Sequence, residues 1–319
     1  MAVTVGCVLT PAMAGPLAGA ASIRDLAQAA EDLNFDSVWV ADHIVIPHRV
    51  TSSYPYDAGG DSPFDPGQPF YEPLSVLNFL AGCTERIRIG THVLIIPYRN
   101  PLFTAKILAT IDVLSGGRLT LGAGVGWMEE EFHALGLDSY HERGAITDEY
   151  LRLFKELWVA EQPEFQGKYF QVSAVGFAPK PVQRPHPPIW TGGHSDRALK
   201  RAAVLADGWM PIGLRPPTLL QPKEFGEKLA RLRTLIHQAG RSQADVTVSF
   251  TAPISFTRAP AESRRLLTGD PEQIADDMRQ YRSLGVENFN LNLPGNSIRE
   301  QQASMERFAS DVMPLISTA

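Results

Sequence analysis

The sequence predicts an α/β fold, a (β/α)8 TIM barrel that takes up residues 1–319 as one domain, and three observations predict it. Short runs rich in β-branched residues alternate with helix-patterned segments; eight such runs occur, most of them followed by a helix; and no linker-like stretch divides the chain. Strand–helix alternation implies parallel pairing through right-handed crossovers. Eight units in one chain favour a closed barrel over an open doubly wound sheet.

In order, Val3–Leu9 (VTVGCVL) reads as the first strand, and a helix follows over 22–33 with Ser22 as its cap and Ile23, Leu26, Ala27 and Ala30 at helical spacing. Ser37–Ala41 (SVWVA) is the second strand. The insertion after it, 43–71, carries eight Pro and Gly residues, and so long a loop in a compact domain is usually functional or disordered. A helix over 73–83 leads to the third strand, 87–95. Helix 101–114 then begins at Pro101 and ends at Ser115-Gly116-Gly117, as helix termini prefer. Strand 118–123 and helix 147–159 follow, the latter with Tyr150, Leu153, Phe154, Leu157 and Trp158 on one face. A hairpin is expected near 163–180. Strands at 188–191, 207–211, 245–255 and 287–293 then alternate with helices near 194–206, 222–239, 270–284 and 298–315.

The bulk properties narrow the function. Hydrophobic residues make up 44% and charged ones 20%, as in a soluble globular enzyme. The net charge, 29 − 35 = −6, and the lack of any basic run argue against nucleic acid or an anionic membrane as partner. The two cysteines, Cys7 and Cys83, are too few for a disulfide framework and read as buried reduced thiols. The N-terminus lacks a basic leader region, and no apolar run approaches the ~18 residues of a membrane span, so a cytoplasmic location is expected.

In such barrels the chemistry sits at the C-terminal ends of the strands. Those positions hold Asp42 and His43, Thr91 and His92, Gly122–Trp127, and Thr191–Ser195. Asp42-His43 can serve as an acid/base pair near neutrality, or His43 can merely orient Asp42. His92, inside an apolar strand, is either a hydrogen-bonded core histidine or the lining of a site. GAGVGW (122–127) is not a dinucleotide fingerprint, because Trp127 stands where the last glycine belongs. Its alternating glycines instead let a flat ring, or another backbone, come close. TGGHSD (191–196) offers free backbone N–H groups, a Ser195 hydroxyl and a helix N-terminus to an anion; as an ordinary turn it would need only a cap. No metal-ligand spacing and no G-x-S-x-G elbow occurs, so neither a metal site nor a serine hydrolase is expected.

Taken together, VWVADHIVIP (38–47), IRIGTHVLIIPYRNP (87–101), LSGGRLTLGAGVGWMEEEF (114–132), IWTGGHSDRALKRAAVLADGW (189–209) and GDPEQIADDMRQYRSLGVENFNL (269–291) resemble the luciferase-like monooxygenase superfamily, closest to its probable F420-dependent oxidoreductases. The resemblance implies a deazaflavin, coenzyme F420, as cofactor and hydride transfer to or from a small organic substrate. It implies a bulge in the third strand at Thr91, His92 and Val93, with a cis His92–Val93 peptide behind the cofactor ring. Asp42 would touch that ring, Gly124 and Gly126 would lie at its rim, and Gly192, Gly193, His194 and Ser195 would form the phosphate loop. His43 would carry a proton. Trp127 stands where sugar-phosphate dehydrogenases of the group place a glutamate, which implies an apolar or aromatic substrate. Arg99, His48 and Arg49 are candidates for the acidic tail of F420. The alternative is an FMN-dependent monooxygenase using reduced flavin and O2, with a separate reductase as partner; a non-catalytic flavin-binding barrel is the third reading. The resemblance also implies a homodimer through the helices at 73–83 and 101–114, and loop 43–71 is expected to cover the substrate with Tyr54, Tyr56, Phe64, Phe70 and Tyr71.

Overall fold

The computed structural model describes residues 3–258, 260 and 264–317. The chain opens with β1 (Thr4–Val8), the short α1 (Thr10–Met13), α2 (Ala20–Asp32) and β2 (Ser37–Val40). After the long insertion come α3 (Pro73–Cys83), β3 (Arg88–Thr91), β4 (Leu94–Ile95) and α4 (Pro101–Leu114). The middle of the chain contributes β5 (Leu119–Gly124), α5 (Glu129–Ala134) and α6 (Arg143–Val159), then a small hairpin of β6 (Phe165–Gln166) and β7 (Gln171–Val172). The alternation resumes with β8 (Ile189–Thr191), α7 (Asp196–Leu205), β9 (Gly208–Trp209), α8 (Pro222–Gln238) and β10 (Thr247–Pro253). It ends with α9 (Pro271–Leu284), β11 (Asn288–Asn292), α10 (Ile298–Asp311) and α11 (Met313–Ser317).

The barrel closes. Each strand pairs in parallel with its successor, from β1–β2 through β2–β3, β3–β5, β5–β8, β8–β9, β9–β10 and β10–β11 back to β11–β1. β4 continues β3 beyond a break and also pairs with β5, so the nine strands of the sheet fill eight barrel positions. Strand interiors and helix undersides share one apolar core, in which Leu26, Leu77, Leu108, Leu157 and Ile274 are fully buried. Inside the barrel, Trp39 stacks on Trp190 at 5.3 Å between ring centroids and packs with Val8 and Met210, flooring the C-terminal half. Among the described residues, no helix is long and apolar enough to cross a membrane.

Helix starts follow their caps. Glu72 and Asn100 accept the backbone N–H of Ser75 and Phe103, each just before a proline at the first helical position. Asp270 and Gln273 form a capping box ahead of α9.

Several expectations are corrected. Ser22 is not a cap: α2 starts earlier, on Gly19, without a side-chain cap. The third strand is interrupted, the hairpin pairs only Phe165–Gln166 with Gln171–Val172, and the last helix divides at Val312. Cys7 is buried as expected, but Cys83 is only partly so.

Arg118, just before β5, ties this half of the barrel together. Its guanidinium donates to the carbonyls of Ala81, Thr84, Ile87 and Ser115 and to the Thr84 hydroxyl, at 2.7–3.0 Å. No lysine reproduces that fan of donors. Arg118→Met is expected to lower stability by about 3 kcal/mol, by leaving several buried carbonyls without partners. Urea denaturation should show a reduced midpoint at unchanged slope.

Candidate active site

A cavity of about 1300 Å3 opens at the C-terminal ends of the strands, where parallel barrels place their chemistry. Its walls include Asp42, His43, His92, Val93, Trp127 and the turn after β8.

The break in the third strand forms one wall, and the His92–Val93 peptide there is cis. The His92 ring meets the Thr251 hydroxyl at 2.9 Å through Nε2. Burial, with the positive charge of Arg215 adding to it, pushes the His92 imidazole down to about 4, so the ring is neutral at physiological pH. His92 is thus both a hydrogen-bonded core histidine and part of the cavity wall. Thr91 is neither exposed nor in the lining: its hydroxyl donates to the Gly122 carbonyl at 2.7 Å, inside the wall.

Asp42 and His43, adjacent in sequence, have separate partners. The buried Asp42 carboxylate accepts a two-pronged pair of bonds from Arg99 at 2.7 and 2.8 Å and a third from the Ile95 N–H at 2.8 Å. Burial pushes its pKa up, while Arg99 and the Ile95 amide oppose that and hold the carboxylate. Arg99 also bonds Glu72, so it is spent inside the wall. His43 bonds Glu131 instead, Nδ1 to Oε2 at 2.6 Å. Glu131 is fully buried; Oε2 also accepts from the Tyr98 hydroxyl at 2.9 Å, and Oε1 accepts from the Ile44 and Val45 N–H groups at 2.7 and 3.2 Å. Burial and the Glu131 charge push the Tyr98 hydroxyl far up, so it stays a donor. An acceptor-only carboxylate requires the proton on His43 Nδ1, which leaves Nε2 as the ring's other nitrogen.

Sequence reasoning missed Glu131. It lies in the quoted 114–132 motif, and three consecutive glutamates in the first turn of α5, where the helix dipole favours them, were the signal that could have found it.

The long insertion arches over this wall. Phe64 lies 4.5 Å and Phe70 5.2 Å from the His43 ring, and Tyr54 lies 5.1 Å from Trp127, all between centroids. Tyr54, Tyr56 and Phe64 line the cavity; Phe70 packs on the core and pins the loop, while the Tyr71 side chain is exposed. Trp127 also lines the cavity, 6.3 Å from His43.

Opposite lies a backbone cradle of Gly124, Gly126, Gly192 and Gly193, all in the lining. A Cβ at Gly124 would sit 2.3 Å from Val93 Cγ2, so only glycine lets the strand pass the break. Gly193 has φ +84°, a left-handed conformation that suits glycine. Ser195 caps α7 by accepting the Ala198 N–H, and it faces the cavity. His194 is outside the lining; burial and the nearby Lys228 lower its pKa.

Beyond this turn the cavity wall is basic. Arg143, Arg152, Arg197, Lys200 and Arg201 line it. Arg201 pairs with Asp148, and Arg143 lies 3.9 Å over the Tyr140 ring. Arg152, Arg197 and Lys200 are exposed, and no ion pair engages them among the described residues. Arg99, His48 and Arg49 do not line the cavity, which corrects their assignment to its mouth.

The family description "Luciferase-like monooxygenase" matches residues 3–267, and the chain belongs to this family. An uncharacterized protein of Mycobacterium tuberculosis is 34% identical over 217 residues, 68% of this chain and 72% of its own. The FMNH(2)-dependent dimethylsulfone monooxygenase of Pseudomonas putida is 31% identical over 192 residues, 60% of this chain and 48% of its own. The F420-dependent tetrahydromethanopterin reductase of Methanopyrus kandleri shares the fold, with a TM-score of 0.75 at 20% identity over 98% of this chain and 99% of its own. The protein is a luciferase-like oxidoreductase on a (β/α)8 barrel.

Glu130 latches the insertion. Its Oε1 accepts from the Thr51 N–H and hydroxyl, both at 2.6 Å, and from the Ser52 N–H at 3.0 Å. Partial burial alone would raise its pKa, but these donors outweigh that and hold it at about 2 against an ordinary 4.5. A depressed carboxylate pKa stabilises fully above the unfolded value, so the latch is expected to hold above pH 4.5 and to weaken as pH falls toward 2. Amide-exchange protection factors at Thr51 and Ser52 should fall across that window. Glu130→Gln should show reduced protection already at pH 7, with little further fall.

Proposed function

We propose that the chain is a single-domain, cytoplasmic F420-dependent oxidoreductase that moves a hydride to or from a small apolar or aromatic substrate. One observation carries the choice of F420: the unpaired basic wall of Arg152, Arg197 and Lys200 just past the Gly192–Ser195 turn. FMN ends at its phosphate, whereas F420 continues into a lactyl-oligoglutamate tail whose carboxylates such a wall suits. The glycine cradle fits a flat ring against the broken third strand, and Ser195 with the α7 N-terminus fits a phosphate. In this reading Asp42, His92 and Val93 line the ring side, while Thr91 acts from behind through Gly122. His194 backs the turn without lining it.

When bound, the deazaflavin supplies or accepts the hydride. The chain's own residues do the rest. His43, with Nδ1 fixed on Glu131, offers Nε2 to take or give the proton that balances the hydride at a substrate oxygen. Phe64, Tyr54 and Trp127 exclude water and give an apolar or aromatic substrate its contacts. Exposed Phe79, Phe103 and Leu114 on α3 and α4 support a homodimer through those helices. The second reading, an FMN-dependent monooxygenase with a partner reductase, is favoured by the Pseudomonas putida relative.

Titrating the purified protein with F420 and with FMN, in both oxidation states, decides between them. Tight F420 binding that weakens at least tenfold in Arg197→Gln/Lys200→Gln is expected; preference for reduced FMN would overturn the reading. Glu131→Gln should turn the His43 ring over to the Nε2–H tautomer, visible in its 15N shifts, and slow turnover about a hundredfold or more. Cofactor affinity should be unchanged, since Glu131 lies behind the wall.

A further inference from the structure

The cavity holds a cation that none of these assignments uses. Arg215, in the loop after β9, lines it. Its guanidinium has no carboxylate partner among the described residues, and its Nε is buried without any hydrogen-bond partner. The other deep arginines are spent: Arg99 on Asp42 and Glu72, Arg201 on Asp148.

The loop fixes Arg215 in place. Gly213 N–H donates to the Thr251 carbonyl at 2.9 Å, binding the loop to β10. The Leu214 and Arg215 N–H groups donate to the Leu219 and Thr218 carbonyls at 2.8 and 3.0 Å, closing a tight turn over Pro216 and Pro217. The turn therefore fixes the Arg215 backbone at the cavity wall.

Its surroundings are those of a substrate pocket. Burial raises the pKa of Tyr54 and pushes Tyr56 up to about 12, and the adjacent Arg215 opposes both shifts. It also faces His92, which is neutral. A half-buried guanidinium beside a phenol hydroxyl, a neutral imidazole and aromatic faces lacks only an anion. The Gly192–Ser195 turn and its basic wall already account for a cofactor's phosphate and tail, on a different stretch of the lining.

We propose that Arg215 is the receptor for an anionic group on the substrate, and that the substrate is a small aromatic or apolar carboxylate. Tyr54 donates a second hydrogen bond to the same oxyanion, and the rings of Tyr56, Phe64 and Trp127 take the apolar body. This rests on the reading of the cavity as a redox active site, but the anion site can be tested apart from it.

Benzoate and its neutral isostere benzamide are titrated into the protein with and without bound cofactor, following tryptophan fluorescence and isothermal heat. Benzoate is expected to bind at least tenfold more tightly than benzamide. Arg215→Met should abolish that preference, and Arg215→Lys should keep part of it. Cofactor affinity should stay within about twofold in both variants, with an unchanged thermal midpoint. Equal binding of the two probes, or an Arg215→Met variant that loses cofactor affinity and keeps the benzoate preference, would overturn the proposal. If neither F420 nor FMN binds but benzoate still prefers the wild-type protein, the cofactor reading fails while the anion site stands.

Discussion

A fully buried carboxylate has to be given donors, and Glu131 on α5 takes them from two other segments at once. The segment after β2 gives the His43 ring nitrogen and the Ile44 and Val45 amides; the turn after β4 gives the Tyr98 hydroxyl; α5 carries the glutamate. Removing any one donor leaves part of a buried charge unpaired, so the three segments are held in one arrangement. That arrangement is one side of the cavity. It sets the His43 tautomer, and α5 places Glu130 where it can grip the insertion.

Asp42 shows the same constraint with a different answer. Its neighbour His43 is claimed by Glu131, so Asp42 turns to Arg99, and a two-pronged ion pair neutralises both charges within the wall. His92, held near 4, adds no charge either. The acids of this wall are therefore paired, as are Asp148 with Arg201 and Glu142 with Lys168 farther along the lining. Among the described residues, the unpaired charges facing the cavity are basic and include Arg152, Arg197, Lys200 and Arg215. A chain with a net charge of −6 thus carries a cavity suited to anions, which overall composition could not reveal.

The barrel was legible in the sequence because alternation and strand count are read over the whole chain, so errors at single boundaries cancel. The lining glycines, His43, His92 and Trp127 were legible because strand ends are fixed by the same pattern. What escaped was pairing at a distance. Arg99 looked like a cation for the mouth because nothing local shows that Asp42, 57 residues away, needs it. Thr91 looked like lining because it sits at a strand end, but strand alternation turns its hydroxyl to Gly122. Glu131 escaped because a run of glutamates at a helix start is ordinary surface chemistry until two other segments fold onto it.

The same logic says which part of the site can move. The insertion is clamped at one end by Glu130 on Thr51 and Ser52, and at the other by backbone bonds of Pro69 and Tyr71 to Gly15 and Met13 at 2.9 Å. Between the clamps, residues 53–69 are held mainly by aromatic contacts and by a 3.3 Å bond from the Thr218 hydroxyl to the Pro55 carbonyl. Aromatic faces slide and reseat at little cost, whereas the buried Glu131 network does not. The aromatic stretch that carries Tyr54, Tyr56 and Phe64 is thus the more loosely held part of the cavity wall, and His43 with its carboxylate the more firmly held part.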